Sequence, residues 1–160
     1  GIRPMNEMKK IIQNFLILFS ITALLFALEG ILTNTNNSYQ QQHLTELTIT
    51  KQVGEAVYYE YKNTPYTIIA NVFFYIYLII PAIFVIYFSI AELRETKNFL
   101  QSLLYPLLFI PFTFLLFSKL LSDSIGGEAA IGLILIIAYT GTILSLTVII
   151  NSIIYFSKKY

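Results

Sequence analysis

The sequence has no cysteine and a single histidine, His43. Without cysteine there is no disulfide framework, thiolate metal site, iron–sulfur cluster or cysteine nucleophile. His43 lies in a polar stretch and no apolar segment holds a histidine, which excludes an intramembrane bis-His haem within one chain. Catalytic zinc usually takes three protein ligands, and the sequence offers no clustered set, so no cofactor or metal is expected. Charge is scarce too. Asp, Glu, Lys and Arg make up 12% of the residues, against about 25% in soluble domains. That scarcity excludes a disordered tail, a nucleic-acid binder and an ordinary cytosolic enzyme. With a formal net charge of +1 the chain has no polyelectrolyte partner to recruit.

What is abundant is apolar: 56% of the 160 residues, with a mean hydropathy of +0.69. The apolar residues gather into four long runs, at about 11–28, 68–91, 99–121 and 129–156. A bilayer-spanning helix needs about 20 apolar residues, and all four runs qualify. Charges stand only at their ends. The fold class expected is all-α integral membrane: a four-transmembrane-helix bundle with a short extracytoplasmic loop region, at about 31–66, between helices 1 and 2. Gly1-Ile2-Arg3-Pro4 precede Met5 and read as a cloning scar, which leaves 5–160 as a single membrane domain. Frequent Ile, Phe, Tyr, Asn and Lys suggest an AT-rich, bacterial genome.

Orientation follows from Lys and Arg placement. Lys9 and Lys10 precede the first run, Arg94 and Lys97 follow the second, and Lys158 and Lys159 end the chain. Both termini are therefore expected in the cytoplasm of a bacterial inner membrane. Lys9-Lys10 before an apolar stretch also fits a signal peptide, but Leu28-Glu29-Gly30 is a poor cleavage site, which favours an uncleaved anchor.

The outside loop opens on Thr33-Asn34-Thr35-Asn36-Asn37-Ser38, a polar, turn-like stretch. Thr-rich alternation at 44–50 favours a strand. The segment Glu55–Lys62 either pairs back as a hairpin through Gln52-Val53-Gly54 or forms a short interfacial helix, with the hairpin favoured. Tyr58, Tyr59 and Tyr61, with Tyr66, suit the headgroup region, either as an interfacial belt or as a protein-contact patch.

Helices associate in lipid through close packing of small residues and through hydrogen bonds. At 100° per residue each run shows one small or weakly polar stripe. The first is Gln13, Ser20, Ala23, Ala27 and Gly30; the second is Asn71, Tyr75, Ala82 and Ser89. The third is Asn98, Ser102, Tyr105 and Thr113. The fourth, Gly127, Ala138, Gly141, Thr142, Ser145 and Ser152, is the cleanest. The stripes are expected to face inward, with the alternative that the fourth faces another subunit or a partner's transmembrane helix. Pro81, Pro106 and Pro111 predict kinks that serve packing.

The chemistry on offer is thin. Glu29, Asp123 and Glu128 flank the outside turns, where three carboxylates could meet a divalent cation; solvated helix ends are the simpler reading. No acidic residue falls at a bilayer centre, which argues against a proton-coupled carrier. No base accompanies the Ser and Thr of the stripes, which argues against hydrolysis. The layout of size, spans and termini resembles the membrane-embedded immunity proteins of bacterial toxins, and equally small accessory subunits of inner-membrane complexes. It shares no motif with either, so no functional residue carries over. The function expected is non-enzymatic: recognition of another membrane protein, or of a second copy, through Tyr58, Tyr59 and Tyr61 or through Ala138, Gly141 and Ser145. A small oligomeric channel or carrier, and a lipid-modifying enzyme, are the alternatives.

Overall fold

The computed structural model describes residues 2–43, 48–61, 65–122, 127–158 and 160. In chain order the elements are α1 (Ile2–Gln42), β1 (Thr48–Val53), β2 (Ala56–Tyr61), α2 (Pro65–Thr96), α3 (Phe99–Ser102), α4 (Leu104–Ser122) and α5 (Gly127–Ser157). Among the described residues four helical segments, Met5–Gln42, Pro65–Thr96, Phe99–Leu116 and Ile131–Ser157, are long and apolar enough to cross a membrane. Leu115 is 74% exposed and Phe156 80% exposed, among many large apolar side chains on the helix exteriors. Soluble monomers rarely show contiguous apolar surface on that scale; acyl chains would cover it. These are the features of a multi-pass membrane protein.

α1 corrects the expected turn after Gly30. The helix runs on through Thr33–Ser38 to Gln42, because no proline or further glycine interrupts it and the closing glutamines are good helix formers. Thr33 Oγ1 donates to Glu29 Oε1 at 2.9 Å and Thr35 Oγ1 to the Ile31 carbonyl at 2.9 Å, so the polar side chains bond along the helix. At the other side of the loop region, Pro65 is the first residue of α2, a position where its missing N–H removes no helical bond. Between them β1 and β2 pair antiparallel, from Thr48 opposite Tyr61 to Val53 opposite Ala56. The two-residue turn uses Gly54 at φ +64°, the left-handed backbone that tight hairpins require.

The third apolar run is divided. α3 ends at Ser102 with Leu103 as its C-cap, and α4 begins at Leu104 with Pro106 in its first turn. Pro111 and Pro81 lie within α4 and α2. Lys97, at φ 55°, makes the sharp exit from α2; its amide bonds the Leu93 carbonyl at 2.8 Å, and Asn98 then caps α3 through the Gln101 amide at 3.2 Å.

The described chain forms two compact units. The first comprises Gly1–Ile21 and Ile80–Tyr160, and the second Thr22–Ile79. In the first, Phe15, Leu18, Val85, Tyr105, Phe109 and Ile143 form a buried cluster. Phe15 stacks on Tyr105 with ring centroids 5.1 Å apart, and Phe19 on Phe112 at 3.9 Å. Offset ring pairs of this kind add dispersion and quadrupole attraction, which matters where lipid removes the hydrophobic drive. In the second unit Phe26 meets Tyr77 at 6.1 Å, and Tyr39 meets Tyr66 edge-on at 5.4 Å.

The stripes read from the sequence do not all face inward. The third does, burying Ser102, Tyr105 and Thr113, although Asn98 is exposed. The second is split, with Ser89 buried and Asn71 and Tyr75 exposed. The first faces out through Gln13, Ser20, Ala23 and Ala27. So does the fourth. α5 buries Ile136, Thr140, Ile143, Thr147 and Asn151 instead, the opposite side of the helix from Ala138, Thr142 and Ser145. Apolar side chains are equally well accommodated by lipid and by a neighbouring helix, so fit and hydrogen bonding decide which face turns in.

Candidate functional site

The first unit is knit together at one end by a buried polar layer. α5 carries Asn151 into it, α2 carries Ser89, and Ser102 is the last residue of α3; all three are fully buried. Ser89 Oγ donates to the Ser102 carbonyl at 2.6 Å, and Ser102 Oγ to the Phe99 carbonyl at 2.6 Å. Both hydroxyl hydrogens are thereby used, and the two oxygens can only accept. Asn151 Nδ2 accordingly donates to both, at 2.8 Å to Ser89 and 3.0 Å to Ser102. That arrangement fixes the amide orientation and leaves Asn151 Oδ1 buried without a hydrogen-bond partner. Thr113, Thr140 and Thr147 are buried as well, but each hydroxyl returns to a carbonyl four residues back in its own helix, so they add no cross-link.

Two further polar contacts flank the layer. Asn14 Nδ2 on α1 donates to Tyr105 Oη at 2.9 Å. Glu92 is only 3% exposed, and its Oε1 accepts from Gln101 Nε2 at 2.7 Å. Outside them lies an open cavity of about 640 Å3, lined by Glu7, Lys10, Glu95, Asn98 and Gln101 among others. The Lys10 ammonium pairs with Glu95 across it. In the second unit a cavity of about 330 Å3 is lined by Asn34, Thr35, Ser38, Tyr39, Gln42 and Tyr66.

The residues singled out from the sequence stand as follows. Ala138 and Ser145 are exposed and Gly141 is partly exposed. A Cβ added at Gly141 would meet nothing within 4 Å. The three form one outward patch on α5. Tyr59 and Tyr61 take register positions opposite Thr50 and Thr48, and Tyr58 the position before Tyr59, opposite Lys51; their side chains lie outside the described residues. So do Asp123 and the side chain of Glu128, the proposed companions of Glu29. Among the described residues no group of three His, Asp or Glu side chains could hold a metal ion.

Sequence reasoning missed Asn151, Glu92 and Gln101. Asn151 carried a signal, since an amide within an apolar run must find partners in lipid, but Ser152 beside it fitted the chosen stripe. Glu92 and Gln101 meet only because Lys97 and Asn98 fold α3 back beside the end of α2, which no local pattern announces. Comparison with protein-family models, with curated proteins and with solved structures finds no match for this chain.

Proposed function

We propose that this chain works by recognition within the membrane, holding a transmembrane helix of another membrane protein against the outward patch of α5. The observation that carries the reading is the two-sidedness of α5. Its own bundle takes the side with Ile136, Thr140, Ile143, Thr147 and Asn151. The side left over presents Ala138, Gly141 and Ser145, with open space over Gly141. Small residues spaced by four let a second helix backbone approach closely, and the gain is packing and weak hydrogen bonding rather than hydrophobic burial. Immunity to a membrane-inserting toxin and service as an accessory subunit are two forms such recognition takes, and a second copy of the chain is a third. The Lys and Arg distribution favours cytoplasmic termini in a bacterial inner membrane. Tyr58, Tyr59 and Tyr61 would lie outside, as a second contact or as an interfacial belt.

Gly141→Leu tests the reading. Its Cβ meets no neighbouring atom within 4 Å and its side chain fills the patch, so the partner is expected to be lost from mild-detergent purifications while membrane insertion stays intact. Unchanged co-purification counts against it. A selective flux from the pure protein in liposomes would favour a channel instead. Asn151 Nδ2 bonds the Ser89 and Ser102 hydroxyls, and Ser89 Oγ the Ser102 carbonyl, so these buried polar groups are engaged with one another, which favours recognition over the channel reading.

A further inference from the structure

The cavity beside the α2–α3 connection plays no part in helix recognition. It is polar, open, and of a size to take a small charged group, at about 640 Å3. α1 lends it Glu7 and Lys10, the last turn of α2 lends Glu95, and α3 with its cap lends Asn98 and Gln101. The Lys10–Glu95 pair is half exposed on both sides, 44% and 53%. A pair so exposed contributes little to stability and exchanges readily for other partners. Gln101 is held in place by its bond to the buried Glu92.

The composition of the wall selects the ligand. A metal ion would find two carboxylates, one of them already paired with the Lys10 ammonium, and no group of three His, Asp or Glu side chains that could hold it occurs among the described residues. A quaternary ammonium would find no ring, since no aromatic residue lines the cavity, and aromatic faces are what hold that group. A simple anion would meet one ammonium and two carboxylates. A zwitterion with a phosphate and a primary ammonium meets each group with its complement. It opens the Lys10–Glu95 pair, gives its phosphate oxygens to the Lys10 ammonium and the carboxamides, and donates from its ammonium to Glu95 and Glu7.

Position points the same way. The first apolar run begins directly after Lys10, and exposed apolar residues stand close by in the chain, Ile12 two residues after Lys10 and Leu100 beside Gln101. The charged wall thus lies where a membrane's headgroups would give way to acyl chains. We propose that this cavity binds phosphoethanolamine chemistry, presented by the headgroup of a phospholipid. The proposal rests on membrane embedding but not on the α5 patch.

The test is native mass spectrometry of the full chain, released from micelles holding equal amounts of phosphatidylethanolamine, phosphatidylcholine and phosphatidylglycerol with identical acyl chains. Retention of phosphatidylethanolamine over phosphatidylcholine by about tenfold is expected, a difference within reach of one charge-assisted bond. Lys10→Ala and Glu95→Gln should each bring it down to the phosphatidylcholine level. Glu7→Gln, which keeps the side-chain volume and leaves the Lys10–Glu95 pair in place, should reduce it by about threefold and serves if either of the others fails to fold. Soluble O-phosphoethanolamine is added in a parallel arm: persistence of the bound lipid assigns the site to the bilayer, and displacement at equal concentration assigns the same chemistry to a free metabolite. Gly141→Leu should retain the lipid fully, which separates this outcome from the fate of the helix-recognition reading. Equal retention of the ethanolamine and choline lipids, or ethanolamine-lipid retention unaffected by the substitutions, overturns the proposal.

Discussion

Ser89 Oγ occupies a carbonyl that Pro106 leaves open. In a continuous helix the Ser102 carbonyl would accept the amide of residue 106, but proline has no amide hydrogen. The hydroxyl of Ser89, on α2, donates to that oxygen instead, at 2.6 Å. The break in the third apolar run is thus also the point where α2 is fastened to α3, and Asn151 on α5 closes the same layer.

A double-mutant cycle measures this relationship. Ser89→Ala should destabilise the bundle by about 1 kcal/mol, the upper middle of the range for side-chain bonds between membrane helices. In a Pro106→Ala background the restored amide competes for the Ser102 carbonyl, so the same change should cost less, about half as much or lower. Reversible unfolding in mixed micelles provides the readout. Equal effects in both backgrounds would mean that the two residues act independently.

Asn151 gives a less intuitive expectation. Replacing it by Leu removes two amide–hydroxyl bonds, each worth about 0.6 kcal/mol on average in a membrane. The same replacement removes the unpartnered Oδ1, whose burial costs about 1–3 kcal/mol. Ser89 and Ser102 keep their carbonyl acceptors either way. Asn151→Leu should therefore fall between neutral and about 2 kcal/mol more stable than the parent. A loss above about 3 kcal/mol in the same unfolding assay would show that the layer holds more than these bonds.

Tyr105 separates packing from polarity. Its side chain is fully buried, stacks on Phe15, meets the Phe88 ring at a tilt, and accepts from Asn14. Tyr105→Ala should cost about 3–5 kcal/mol through the cavity it opens, whereas Tyr105→Phe should cost about 1 kcal/mol through the lost bond alone. Similar losses for both would reverse that order of importance.

The four apolar runs announce four crossings, because length and hydropathy suffice for that. The ends of the helices are less legible. Thr33 to Gln42 read as a loop while composition alone is weighed, yet Thr33 and Thr35 bond back along α1 and the helix continues. Which face turns inward is legible only in part. Ser102, Tyr105 and Thr113 were marked by their polarity and are buried. The small residues of α5 were marked as well and are turned outward, since a neighbouring helix in lipid gains nothing from covering Ile rather than Ala unless the shapes fit. The charged cavity was out of reach, because Glu7 and Lys10 are far in sequence from Glu95 and Gln101 and meet through the fold alone.

The most direct test of the recognition reading places a photo-crosslinking side chain at Ala138, at Ser145 or at Leu115, in separate variants within native membranes. Ala138 and Ser145 share the outward patch of α5, and Leu115 is a 74% exposed position on α4 that serves as the lipid-facing control. The predicted result is one discrete protein adduct from the two α5 positions, none from Leu115, and loss of that adduct when Gly141→Leu is added. Lipid adducts alone from all three positions, or the same protein adduct from all three, would contradict it.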